Sequence, residues 1–106
     1  MGEHRHERME EALREVAAEF LVREANRNVL ITVTRAVLSL DMKRVTIYLT
    51  ALPDSGEQAA VDFANRNRKE LRDFYKTRVK GALPPDIVFE IDMGEKNRLR
   101  LDELSK

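Results

Sequence analysis

Basic residues crowd one stretch of this chain. Between positions 66 and 80 stand Arg66, Arg68, Lys69, Arg72, Lys76, Arg78 and Lys80, opposed only by Glu70 and Asp73, although the chain as a whole carries no net charge. Ammonium and guanidinium groups at this density are the chemistry of phosphate binding, because fixed positive charge releases the counterions of a nucleic-acid backbone. Arg68, Arg72, Lys76 and Lys80 recur every fourth residue. A helix here would carry them as one slowly drifting stripe, roughly 18 Å long at about 1.5 Å per residue. A solvated helix face with no partner is the alternative. Glu70 and Asp73 lie off the i, i+4 line, whereas a face built only for solubility mixes signs along it; that favours nucleic acid. Lys43 and Arg44 form a second, smaller basic pair, and Arg5 and Arg8 a third near the start. The expected RNA contacts are therefore Arg66, Arg68, Lys69, Arg72, Lys76 and Lys80, then Lys43 and Arg44, then Arg5 and Arg8. Each would meet phosphate, which fixes position without reading sequence.

Other chemistries are poorly supplied. The chain has no Cys, which removes disulfides, thiolate catalysis and Cys-based zinc sites together. Both histidines, His4 and His6, fall in a start read as disordered, where neither general-base geometry nor a metal site would be held. Asp41, Asp54 and Asp92 read as turn and cap residues, and nothing brings two carboxylates together. Four Phe, two Tyr and no Trp describe a chain without a large ligand cavity. The expectation is no enzyme, no cofactor, no metal and no small-molecule substrate. No apolar run approaches the ~20 residues of a membrane span, and the polar start lacks a signal-peptide core, so the expected setting is cytoplasmic with no membrane partner. Tyr48 reads as sheet packing before base stacking. From Glu7 to Glu24 six acidic residues face three basic ones, a segment that would turn away from RNA or, as a second reading, make a protein-binding α+β adaptor.

The elements that must position these residues follow from spacing. Met9, Ala12, Leu13, Val16, Ala17, Phe20 and Leu21 make an amphipathic helical seam, predicted from near Arg5 to Asn26–Asn28. Positions 29–38 are rich in β-branched residues, with Val29, Ile31 and Val33 alternating against Leu30, Thr32 and Thr34. After the turn at 39–43, Val45, Ile47 and Leu49 alternate with Thr46, Tyr48 and Thr50. An antiparallel hairpin is the natural reading. Pro53-Asp54 breaks the second strand, and Ser55 with Gln58 has the form of a capping box. The helix that follows would bury Ala60, Phe63, Ala64, Leu71, Phe74 and Tyr75, with Asn67 in the middle of that seam. A polar residue there predicts a bend or division near 65–69; a continuous helix with a partly exposed Asn is the alternative. Gly81 and Pro84-Pro85 end helical structure. Ile87, Phe89 and Ile91 then alternate as a third strand, long enough after the second for a crossover and parallel pairing. The 106 residues suit one domain, placed at 1–92, with 93–106 as a short, charged, flexible tail. The order α-β-β-α(kink)α-β is an α+β layer, a three-stranded sheet with helices on one face.

That order is the topology of a type II KH domain, and three segments narrow it. Positions 31–50 open on Ile31-Thr32-Val33-Thr34, turn at Ser39 and Asp41, and carry Tyr48 between β-formers. The closing segment carries Pro85, Asp86, Ile87, Phe89 and Asp92, then Arg98, Arg100 and Leu104 after a charged spacer. Arg5 and Arg8 precede the first seam. Together these resemble the bacterial ribosome-binding factor A family over nearly the whole chain. The chain departs from the family at Leu40, where the strand turn usually has Pro, and at Asn67-Arg68-Lys69, where the helix kink usually carries a small A-x-G element. No G-x-x-G loop is present, so RNA clamping of the ordinary KH kind is not expected. The resemblance implies a monomeric assembly factor acting without catalysis. Its partners would be the 30S ribosomal subunit and 16S rRNA, late in rRNA maturation and most needed in the cold.

Overall fold

The chain folds as an α+β layer in the computed structural model, which describes residues 2–24, 29–81 and 85–95, with side chains in the first helix from His6 to Val22. Helix α1 (Gly2–Glu24) leads into strands β1 (Leu30–Leu38) and β2 (Arg44–Leu52), and a 3-10 turn at Asp54–Gly56 precedes helices α2 (Glu57–Arg66) and α3 (Arg68–Arg78) and strand β3 (Asp86–Ile91). The sheet order is β1-β2-β3, antiparallel between β1 and β2 and parallel between β2 and β3. Helix α1 begins three residues earlier than its seam suggests, so His6 stands in a helix and not in a disordered start. The expected helix end at Asn26–Asn28 and the tail beyond Glu95 lie outside the described residues.

One core joins the layers. From α1 come Leu13, Val16, Ala17, Phe20 and Leu21; from β2, Val45, Ile47, Leu49 and Ala51; from β3, Ile87 and Phe89. β1 adds Val33, Ala36 and Leu38, and Ala60, Ala64, Leu71 and Tyr75 complete it from α2 and α3. Phe63 and Phe74, expected inside, are only half-buried at its margin; the Phe74 ring lies 5.7 Å from that of Phe20. On the helix-free face Arg35, Thr46, Tyr48 and Thr50 stand outward. The alternation read along β1 is not continuous, because the register slips between Val33 and Arg35. Thr34 is the extra residue of this bulge, and it moves Ala36 and Leu38 into the core positions that strict alternation from Val33 would have denied them.

Helix α2 does not start with the capping box of Ser55 and Gln58. Gly56 is the N-cap and no side chain caps the turn, while the Gln58 amide donates to Asp62 Oδ1 at 2.9 Å. A larger residue at Gly56 would crowd the Val29 side chain, since a Cβ there would lie 3.0 Å from Val29 Cγ2. The division at Asn67 is present. Asn67 has φ −105° and ψ 20°, its backbone N–H reaches both Phe63 O (3.2 Å) and Ala64 O (3.1 Å), and its side-chain amide donates to Phe63 O at 2.8 Å. No glycine is needed, because this conformation has negative φ and is open to any L-residue.

Two side-chain devices tie the strands together. β3 is an edge strand, and Asn65 closes its free edge like a neighbouring peptide: Phe89 N–H donates to Asn65 Oδ1 at 3.0 Å, and Asn65 Nδ2 donates to Phe89 O at 3.3 Å. Just beyond β3, Asp92 is the buried charged residue of the described chain, 5% exposed. Its N–H donates to Leu49 O (2.8 Å), its Oδ2 accepts from Thr34 Oγ1 (2.6 Å) and lies 3.4 Å from Arg35 Nε, and its Oδ1 accepts from Glu95 N–H (3.0 Å). It therefore links β3 across β2 to the bulge of β1 and caps the helical turn at 93–95. Burial pushes the Asp92 carboxyl up, but the Thr34 hydroxyl, the Glu95 amide and the Arg35 guanidinium together outweigh it and hold the group below the usual carboxylate range.

Two stability predictions follow from these contacts. Asn65→Leu leaves the Phe89 peptide groups without partners and should cost about 1–3 kcal/mol, read as a lower urea midpoint at unchanged slope. Because folding depresses the Asp92 pKa, its contribution is complete above the unfolded value near ~3.9 and is lost as pH falls through the folded one. Thermal melts should show Asp92→Asn less stable by about 1.5–3 kcal/mol at neutral pH, with the gap to the unsubstituted chain closing on acidification.

Candidate nucleic-acid interface

The turn between β1 and β2 sets the first cations. Ser39 Oγ and Asp41 Oδ1 are 2.6 Å apart, Lys43 N–H donates to the same Asp41 oxygen (3.0 Å), and Arg44 N–H donates to Ser39 Oγ (3.1 Å). Met42 takes a left-handed conformation, φ 61°. The Ser39 hydroxyl, then the Lys43 amide, hold the Asp41 carboxyl below its ordinary range, so it stays ionised as the anchor of the turn. From α1, Glu10 Oε2 accepts Leu38 N–H at 2.7 Å and His6 Nε2 lies 3.3 Å from Ser39 O. These bonds pin the hairpin end against the helix and leave Lys43 and Arg44 exposed.

Helix α3 supplies the second group. Arg68, Arg72 and Lys76 share its length, a stripe of about 12 Å at ~1.5 Å per residue. The stripe is shorter than its spacing predicts. The helix ends at Arg78 and Val79 turns extended (φ −128°, ψ 126°), so Lys80 stands beyond it and Arg66 stands across the break on α2. Lys76 Nζ is 3.8 Å from Asp73 Oδ1: Asp73 lies off the i, i+4 line but within reach at i−3. Arg78 is exposed but turned to α1, 2.8 Å from Glu19 Oε1, with its guanidinium 4.7 Å from the Phe74 ring centre. Among the described residues, Arg44, Arg66, Arg68, Lys69, Arg72 and Lys80 have no ion pair.

Tertiary folding brings the two groups to one place. A groove of about 510 Å³ between α3 and the start of β3 is lined by Arg68, Lys69 and Arg72 with Arg44 from the start of β2, and Pro85, Asp86, Ile87 and Val88 are the rest of its wall. β3 fixes its geometry: Asp86 N–H donates to Lys43 O (3.2 Å) and Arg68 Nη1 donates to Ile87 O (3.4 Å). One of five guanidinium donors is so occupied, and the others remain for a ligand. Lys43 is exposed on the turn next to Arg44, and Arg8 is exposed on α1 two residues from His6. Arg5 lies in α1, but its side chain is outside the described ones. Tyr48 faces the helix-free side with the Arg35 guanidinium 4.2 Å from its ring centre, so a protein cation already covers it. Asn67 acts at the break where its place in the seam put it, and Asp92 caps a turn as its type suggests; the hold of Asn65 on Phe89 and of Asp92 on Thr34 was not legible, since nothing in the local sequence signals a contact with a distant strand.

A family model described as ribosome-binding factor A matches residues 5–105. The chain belongs to the ribosome-binding factor A family. Its relatives include the ribosome-binding factor A of Nitrobacter winogradskyi, 32% identical over 97% of this chain and 79% of that one. That of Methylobacterium nodulans is 34% identical over 94% of this chain and 78% of its own. The crystal structure of ribosome-binding factor A from Thermus thermophilus has the same fold, with a TM-score of 0.70 at 23% identity over 81% of this chain and 94% of the other. A homology model of the Thermus thermophilus factor fitted into a cryo-EM map of a 30S complex gives a TM-score of 0.64 at 24% identity, over 74% of this chain and 86% of the other. Among the described residues no helix is long and apolar enough to cross a membrane.

Proposed function

We propose that this protein is a monomeric, cytoplasmic ribosome-biogenesis factor that binds the 30S subunit and its 16S rRNA through the groove between α3 and the start of β3 and assists late rRNA maturation without catalysis. The observation that carries this reading is the convergence of Arg44 with Arg68, Lys69 and Arg72 around one groove, none of them in an ion pair among the described residues. The Thermus thermophilus relative in complex with a 30S particle supports the choice of partner. Arg66 and Lys43, both exposed and close in the chain to the groove residues Arg68 and Arg44, extend the contact; Arg8 and Lys80 are exposed cations of α1 and of the segment after α3 that add to it, Arg5 adds its charge from α1, and Lys76 contributes less because Asp73 competes for it. Affinity of this kind needs no bond-making step to act. A factor that binds one rRNA conformation more tightly than another shifts their equilibrium by the difference, tenfold for each ~1.4 kcal/mol. Were the groove cations paired within the protein, the adaptor reading through acidic α1 would gain; only Lys76 and Arg78 of the 66–80 cluster are so paired among the described residues.

Sedimentation with ribosomal particles tests the reading. The protein should travel with free or immature small subunits and not with assembled ribosomes. With four groove cations each neutralising a phosphate, log K should fall against log salt with a slope of about −3, at roughly −0.7 to −0.9 per contact. Lys69→Ala with Arg72→Ala should flatten that slope by about 1.5 units with an unchanged melting temperature. Lys76→Ala should change it less than either. Small-subunit binding that is insensitive to salt and to the double substitution would move the interface elsewhere on the molecule.

A further inference from the structure

One group in the basic groove is not explained by phosphate binding. Asp86 lines it together with Arg44, Arg68, Lys69 and Arg72. Its side chain is exposed and has no ion pair among the described residues, although Arg44 is its register partner on the neighbouring strand. An ionised carboxylate has only acceptors and repels a phosphate oxygen, so it weakens a groove whose sole ligand is a phosphate. What it accepts well is a pair of N–H donors. The N–H donors of an RNA strand lie on base edges, and in a duplex those of the pairing edge are already engaged, so the base must be unpaired.

The rest of the groove suits a single nucleotide. Its volume of about 510 Å³ falls within the ~300–1,000 Å³ of sites that hold one small ligand. Pro85 and Val88, both half-buried, offer apolar surface for the flat face of a base, while the four cations serve the phosphates on either side. The bases differ in what they show a carboxylate. Guanine presents N1–H and N2–H side by side to its two oxygens, and its O6 beside them is an acceptor for a guanidinium. Uracil presents one N–H between two carbonyl oxygens, which a carboxylate repels. Adenine and cytosine present an amino group next to a ring acceptor, so only one oxygen is satisfied.

We propose that this groove reads one unpaired guanine, with Asp86 accepting from N1–H and N2–H and Arg44, its register partner, facing O6. The proposal rests on the RNA-binding reading above and assigns base discrimination to a site otherwise made of phosphate contacts. Asp86 is a specificity residue and not an affinity residue: removing its charge relieves repulsion of the backbone while abolishing the choice of base.

The test compares short single-stranded oligouridine with the same strand carrying one central guanosine or one central inosine, by fluorescence anisotropy at low salt. The unsubstituted chain should prefer the guanosine strand over oligouridine by about tenfold or more, the scale of one bidentate base contact, with inosine between because it lacks the N2 donors. Asp86→Ala and the near-isosteric Asp86→Asn should both lose this preference while binding oligouridine as tightly or more tightly. Equal affinity of the unsubstituted chain for guanosine and uridine strands, or a guanosine preference that survives in both variants, would overturn the assignment and leave the RNA-binding reading standing. If no strand binds the unsubstituted chain, the guanine assignment falls, and the RNA-binding reading is then decided by the sedimentation and salt dependence above.

Discussion

A parallel edge strand presents alternate peptide groups to whatever lies beside it, and in this fold that edge belongs to β3. The groups are closed by side chains and not by a fourth strand: the Asn65 amide pairs with both polar atoms of Phe89, and Arg68 donates to Ile87 O. Asn65 and Arg68 flank the break between α2 and α3, so the same contacts that protect the edge from pairing with another chain also fix the hinge to the sheet. The wall of the groove is thereby set, since Arg68, Lys69 and Arg72 follow directly from the hinge and Pro85 to Val88 from the start of the strand it holds.

The hinge shows how a fold keeps a shape after losing the residues usually associated with it. The resemblance to the family puts a small A-x-G element at the kink, yet Asn67-Arg68-Lys69 divides the helix here. The backbone at Asn67 stays at negative φ, which glycine does not uniquely provide. The side-chain amide then adds a second donor to Phe63 O, which the Asn67 backbone N–H shares with Ala64 O at the end of α2. The substitution also has an electrostatic result. Two positions of the kink now carry Arg68 and Lys69, both of which line the groove.

Charge is distributed over the molecule by what the neutralised residues are doing structurally. Arg78, Arg35 and Arg14 are engaged with Glu19, Asp92 and Glu11, and the first two of these contacts tie separate elements together. Among the described residues the groove cations Arg44, Arg68, Lys69 and Arg72 have no ion pair, and neither have Arg66 and Lys80 outside it. Asp92 is the counterpart on the other side of the sheet: a carboxylate placed where Thr34, Arg35 and the 93–95 turn all need an acceptor, and whose burial is offset by those partners together.

Much of the fold was legible from local patterning. The α1 seam, the bounds of β2, the break at Asn67 and the existence of the third strand all follow from periodicities of 3.6 and 2 and from a polar residue out of place in an apolar row, while the parallel pairing of that strand was only allowed by the length of the connection before it. These are properties of neighbouring residues, which is why one strand of text suffices to show them. The basic cluster was legible for the same reason. Its working subset was not: which cations remain unpaired depends on Asp73 and Glu19 reaching Lys76 and Arg78, and which of them meet Arg44 depends on the crossover that lays β3 beside β2. The bulge at Thr34, the burial of Asp92 and the edge closure by Asn65 likewise join residues 14 to 58 positions apart. Such contacts leave no periodic trace, because their energy comes from satisfying a particular donor or acceptor in a particular place, and that place exists only once the layers have closed.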